Sequence, residues 1–166
     1  MSGRLVRPTV AVTAPLAGTV VSLEDVPDPV FASLVVGPGV AILPREPDVA
    51  TGATRRVVAV APCAGRVRTL YPHAVMIGLD VDRAVLVHLG LDTGQLEGVG
   101  FDVATSEGER VTAGQPLIGW SPEGVRAGGR STLCPVVALR GGPEDVLQLV
   151  APGEQVEEGQ TLLLWS

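Results

Sequence analysis

The chain has 166 residues and a formal net charge of −6; 46% of it is apolar, only 3% aromatic, and it holds 21 Gly and 14 Pro. That length supports one domain with its own core, and so much Gly and Pro cuts helices short in favour of strands and turns. All twelve basic residues are arginine; they are too few and too scattered for a nucleic-acid face, whereas an acidic surface suits a basic protein partner.

The opening "MSGRLVRPTVAVTAPLAG" has no continuous apolar segment of the secretory kind, and no run approaches the roughly 18 apolar residues of a membrane span. A soluble cytoplasmic protein is expected, with residues 1–12 as a short N-terminal tail and 13–166 as a single domain. "APLAGTV" (14–20) returns as "APCAGRV" (61–67), and "GERVTAGQPLIGW" (108–120) returns as "GEQVEEGQTLLLW" (153–165). Each copy reads as a turn followed by a short strand, which predicts an all-β antiparallel sandwich or barrel of two related halves with a few short helical turns. "DPVFASLVVG" (28–37) predicts one of those turns, with Asp28 as N-cap, Pro29 at the first helical position and Gly37 as the stop. The stretch 44–56 lacks periodicity and reads as a mobile surface loop. "PEGVRAGG" (122–129) and "PEDVLQLV" (143–150) each allow one or two helical turns. Cys63 and Cys134 stand alone in apolar surroundings with no CxxC spacing, and read as reduced, buried, small hydrophobes.

The sequence contains two histidines, His73 opening "HAVMIGL" and His88 closing "AVLVHLGL", with "DVDR" between them. The pattern is a hairpin. With Asp80 and Val81 as a two-residue turn, His73 falls directly opposite His88, their Cβ atoms about 4.5–5.5 Å apart on one face. Asp-Val is not a favoured turn pair, and a slip of one residue would break this register. Gly90 lets the chain bend at the strand end and bring Asp92 back towards the rings.

Two imidazoles and a carboxylate admit three readings. They can form a buried, internally satisfied polar cluster. They can ligate zinc, with His73, His88 and Asp92 leaving a fourth position open. "HLGLD" shares the HxxxD spacing of lysostaphin-type zinc endopeptidases, but the chain has no HxH motif and no spare histidine. Or one imidazole can carry a phosphoryl group while the other donates a hydrogen bond to its oxygens, inside an apolar surround that excludes water.

At these residues the chain resembles the glucose-type EIIA proteins of the bacterial phosphoenolpyruvate-dependent sugar phosphotransferase system. The resemblance is carried by "APLAGTVVSLEDVPDPVFASLVVGPGVAI", "VLVHLGLDTGQLEGVGF", "GERVTAGQPL" and "STLCPVVAL", and runs from about Thr13 to the C-terminus. It implies a β-sandwich of the duplicated hybrid motif kind. It implies that His88 is the phosphoacceptor, reacting at Nε2, with Nδ1–H held by the carbonyl of Gly90, and that His73 assists transfer without being phosphorylated. The implied donor is the phosphohistidine of HPr and the implied acceptor a cysteine of a sugar-specific EIIB domain. Asp28 and Asp92 match acidic docking residues; Phe31, Val36 and Leu86 match the apolar ring around the site. Tyr71 departs from the family, which places an orienting threonine there, and the loop near 45–56 holds extra residues. No cofactor is required for the implied transfer. Zinc at His73 and His88, shared with a partner, and regulatory targets such as transporters or kinases belong to the competing reading, a non-catalytic regulator of the same fold. The proline- and glycine-flanked repeats are also similar to biotinyl and lipoyl carrier domains, which need a lysine that this chain lacks.

Overall fold

The computed structural model describes residues 7–46 and 56–166. In chain order the elements are β1 (Val10–Thr13), β2 (Gly18–Ser22), α1 (Pro29–Ala32), β3 (Gly39–Pro44), β4 (Val57–Val60), β5 (Gly65–Tyr71), β6 (Ala74–Gly78) and β7 (Ala84–His88), then β8 (Phe101–Val103), β9 (Arg110–Val111), β10 (Pro116–Trp120), α2 (Pro122–Ala127), β11 (Cys134–Ala138), β12 (Val146–Gln148), β13 (Gln155–Val156) and β14 (Thr161–Trp165). Among the described residues no helix is long and apolar enough to cross a membrane. Of the expected loop 44–56, Pro44 ends β3 and residues 47–55 lie outside the described residues, as do 1–6 of the expected tail. β1 begins at Val10, so the last residues before Thr13 are already paired with β14.

Every strand pairing is antiparallel, and the sequence repeat explains the topology. β2 and β1, leading from and into the first "APLAG" motif, pair with β13 and β14 of the last repeat. β5 and β4, around "APCAG", pair in the same way with β9 and β10. The halves meet where β11 pairs with β7, in the middle of an eight-stranded sheet of order β13-β2-β3-β11-β7-β6-β5-β9; two three-stranded sheets, β1-β14-β12 and β4-β10-β8, complete the sandwich. The predicted two-half β-sandwich is what the chain forms.

β7 explains why its sequence is apolar throughout rather than alternating: both faces are covered. Val85 and Val87 point into the main core with Ile42, Ile77, Ile118, Trp120 and Leu163. Leu86 points the other way, into a second apolar cluster with Leu23, Val26, Phe31, Ala41, Ala74, Leu91 and Val137. His88 follows Leu86 by two residues and shares its face. Cys63 and Cys134 are free and buried, and burial pushes both thiols up to about 12.

Two helical expectations shorten. α1 keeps its predicted start, with the Asp28 carboxylate accepting the Val30 N–H at 3.0 Å, but it stops at Ala32 because Leu34 enters the left-handed region at φ 61°, ahead of Gly37. "PEDVLQLV" forms a single 3-10 turn over Pro143–Asp145 and then strand β12, because Val146 and Leu147 find partners in Trp165 and Leu164 of β14. Tertiary pairing overrides a weak local helical preference there.

The register of the central hairpin also differs from expectation. His88 lies opposite Ala74, not His73, and the last pair is Gly78–Ala84. The connection is longer than two residues: Leu79 N–H donates to the Arg83 carbonyl at 2.9 Å, and Asp80 Oδ1 accepts the backbone N–H groups of Arg83 (2.8 Å) and Asp82 (3.1 Å). Arg83 is 1% exposed. Its guanidinium bridges Asp80 Oδ2 at 2.8 Å, donates to the carbonyls of Pro8 and Trp165 at 3.0 Å each, and lies 5.8 Å from the centroid of the Trp165 ring. Removing it leaves a carboxylate and two carbonyls short of a donor. Arg83→Ala is therefore expected to cost about 3 kcal/mol; the Asp80 side chain, 34% exposed, recovers part of its loss from water. Thermal unfolding checks this, and a melting temperature equal to wild type would show that Arg83 is not a clamp.

Candidate functional site

His88 ends β7, a strand held on both sides, and the chain then turns sharply. Gly90 has φ +78°, and a Cβ there would lie 2.7 Å from Thr93 Cγ2 and 2.9 Å from the Ser131 carbonyl oxygen. Only glycine fits this turn. The turn aims the Gly90 carbonyl back at the imidazole, 2.6 Å from His88 Nδ1. A carbonyl can only accept, so Nδ1 carries the hydrogen and Nε2 keeps its lone pair. The loop beyond is fixed by Leu91 N–H to the Ser131 carbonyl (3.0 Å) and by the buried Thr93 hydroxyl to the Leu89 carbonyl (2.8 Å).

His73 reaches the same place from the other side. Tyr71 pairs with Ala74, so Pro72 and His73 form the two-residue turn between β5 and β6. The His73 carbonyl accepts the Leu89 N–H at 2.8 Å, tying this turn to the residue after His88. The two imidazoles meet edge to face with centroids 5.0 Å apart, as the sequence led one to expect, though from a turn rather than from a paired strand position. Phe31 on α1 packs its ring against His88 at 5.5 Å.

The remaining predicted residues fall around this pair. Tyr71, 51% exposed, meets His73 through its ring, centroids 5.7 Å apart and tilted by 31°. Phe31 and Leu86 are buried in the second apolar cluster, and the half-buried Val36 packs against it, so these three form the floor of the face rather than its outer surface. On α1 and the segment after it, Val30, Leu34 and Val35 are exposed apolar residues that the sequence did not single out. Gly94 was also missed: a Cβ there would come within 3.3 Å of His73 Cε1 and 3.4 Å of Nε2. Its only sequence signal is its place six residues beyond His88 in a loop now seen to fold back. Asp92 is exposed, in the left-handed region at φ 58°. Asp28 and Asp92 both act electrostatically on His88.

Among the described residues no group of three or more His, Cys, Asp or Glu side chains could hold a metal. Asp92 does not complete a three-ligand zinc site, and two imidazoles alone fall short of the three protein ligands of a catalytic zinc. Burial pushes the His88 imidazole below the ordinary histidine value, while the Gly90 carbonyl and the charges of Asp28 and Asp92 pull it partly back. His73 is lowered by burial and then by the facing His88. Both rings are thus neutral at pH 7, and one of them presents a free, fixed nitrogen lone pair.

The sequence profile described as phosphoenolpyruvate-dependent sugar phosphotransferase system, EIIA 1, matches residues 10–142. The chain belongs to this family. It is 40% identical over 137 residues to a PTS system glucose-specific EIIA component of Staphylococcus aureus, covering 81% of this chain and 76% of the relative. It is also 40% identical over 126 residues to one of Halalkalibacterium halodurans, covering 75% and 67%. Among solved structures, glucose permease IIA from Mycoplasma capricolum superposes with a TM-score of 0.80 at 27% identity, covering 95% of this chain and 96% of that one. As an EIIA-family member the chain is a phosphocarrier of the sugar phosphotransferase system.

The electrostatics are directly measurable. In Asp28→Asn the helix cap survives, because Asn caps as well as Asp, and NMR titration should find His88 lowered further. In His88→Gln, His73 should rise towards about 6.5, the ordinary value. Because both folded values are depressed, the two rings contribute full stability above about pH 6.5 and lose it as pH falls through the folded values, where the unfolded chain already binds protons. Unchanged titrations in both variants would refute this account.

Proposed function

We propose that His88 accepts a phosphoryl group from the phosphohistidine of HPr and passes it to a cysteine of a sugar-specific EIIB domain, in the cytoplasm. The observation that carries the assignment is the hydrogen bond from His88 Nδ1 to the Gly90 carbonyl, which leaves Nε2 as the nucleophile.

The Nε2 lone pair attacks phosphorus, the donor's P–N bond breaks, and its electron pair returns to the donor imidazole. In the second transfer a cysteine thiolate attacks, and the electron pair of the His88 P–N bond returns to Nε2. Lowered basicity keeps His88 unprotonated and able to attack near neutrality. His73, 5.0 Å away between centroids, presents an N–H to the phosphoryl oxygens, where charge builds in transit. The Tyr71 ring meets that imidazole on one side and Gly94, lacking a side chain, leaves it room on another, the positioning that a threonine hydroxyl does elsewhere in the family. The apolar cluster with Phe31 and Leu86 excludes water from the labile adduct. Asp28 and Asp92 draw a basic partner surface over the site. Zinc bound at His73 and His88 would draw its remaining ligands from such a partner.

The test is phosphotransfer with purified components. With phosphoenolpyruvate, enzyme I and HPr, the protein should gain one acid-labile phosphoryl group by intact mass, and His88→Ala should gain none. His73→Gln should still be phosphorylated but should transfer on the order of a hundredfold more slowly, the scale for losing one donor to developing charge. Gly94→Ala crowds His73 and should slow transfer in the same direction by less. A wild-type protein that takes no phosphate from competent HPr would leave the regulatory reading in its place.

A further inference from the structure

The face that carries His88 does not end at its apolar cluster. Ala84, Leu86 and His88 alternate onto one side of β7, and Leu86 pairs with Met76 on β6. At the Ala84 end lies a hollow of about 340 Å³ lined by Arg68, Met76, Asp82, Ala84, Leu139 and Arg140, among others. Its apolar floor, Met76 and Leu139, packs on the same cluster as Phe31 and Leu86. Its rim holds two guanidinium groups and one exposed carboxylate, Asp82. Four residues of strand separate Ala84 from His88, about 13 Å.

Both arginines are held in place. Arg68 lies across Gly78, where any Cβ would overlap its guanidinium, and donates to the Asp80 carbonyl. Arg140 is one of four non-glycine residues with positive φ among the described residues, at 56°, although two glycines follow it in the chain. That conformation is strained for a bulky residue. Its backbone N–H is fixed to the Val36 carbonyl at 2.8 Å. Neither arginine forms an ion pair with a carboxylate among the described residues, whereas Arg45, Arg56, Arg83 and Arg126 do.

We infer that this hollow is the second anchor of the docking face and receives an acidic side chain of the protein that covers His88. The inference rests on the phosphocarrier reading and adds a charge pattern to it. The partner is basic where it meets Asp28 and Asp92, and it carries a carboxylate about 13 Å along, opposite Arg68 and Arg140. The acidic pair and the basic pair lie at opposite ends of one apolar strip. Such a pattern fixes the orientation of a docked partner, because a rotated one meets like charge at both ends.

The experiment measures phosphoryl transfer from phospho-HPr, and onward to the cognate EIIB domain, at varied partner concentration and salt. Wild type is compared with Arg140→Glu, with Arg68→Gln, and with Arg110→Glu as a control for net charge, since Arg110 is exposed on the edge strand β9. In at least one of the two transfers, Arg140→Glu should raise the half-saturating partner concentration fivefold or more and flatten its salt dependence. Arg68→Gln should act in the same direction by less, and Arg110→Glu should match wild type. Thermal melts establish that each variant is folded; if Arg140→Glu is not, Arg68→Gln decides. Wild-type saturation curves for both arginine variants in both transfers, with His88 still phosphorylated, would overturn the anchor and leave the carrier reading standing. Equal losses in Arg140→Glu and Arg110→Glu would reduce the effect to net charge and overturn it as well. Failure of wild type to take phosphate at all would remove both.

Discussion

Everything at the site hangs on one backbone carbonyl facing back towards the ring two residues before it. The bond from His88 Nδ1 to Gly90 does three things at once: it selects the tautomer, orients the ring and fixes which nitrogen reacts. It exists because Gly90 can take φ +78° where Thr93 and Ser131 occupy the space that a side chain would need. Those contacts are in turn held by Leu91 and Thr93, which tie the loop to Ser131 and to Leu89. A neutral histidine in water exchanges tautomers freely. Here a loop on one side and a central strand on the other remove that freedom before any partner arrives.

The two halves of the sandwich supply the scaffold twice and the chemistry once. β2–β3 and β5–β6 are equivalent hairpins, yet their connections differ. In one half a two-residue turn places His73; in the other a long connection carries a 3-10 turn and α1 over the sheet and lays Phe31 on His88. The central strands differ too. β7 ends in His88, whereas β11, its neighbour across the join, is buried along its whole length. The site thus arises where duplicated strands meet unduplicated connections.

Features fixed by local chemistry were legible in the sequence. The repeats announced the paired halves, Asp28-Pro29 announced the start of α1, and the run into His88 announced a buried strand. The register of the β6–β7 hairpin was not legible, because the turn is shaped by the Asp80 carboxylate gripping the Arg83 backbone rather than by a favoured turn pair. The histidines were brought together correctly for a partly wrong reason: His73 comes from the neighbouring turn. Gly94 against His73, and Arg68 across Gly78, are contacts between segments far apart in the chain or folded back by a loop, and no periodicity encodes them. Strand β12 was hidden for the same reason, since only its pairing with β14 makes it a strand.

The pairing of β1 with β14 sets Val10 beside Trp165. The two ends of the folded chain therefore leave it side by side, at the Arg83 end of β7, where the guanidinium holds the Pro8 and Trp165 carbonyls together. His88 stands at the opposite end of that strand. A polypeptide joined at either terminus, or the whole domain inserted through both into a larger chain, would attach at one spot, at the far end of the strand from His88. In architectural terms the fold is a cassette: its plug is at one end and its reactive histidine at the other.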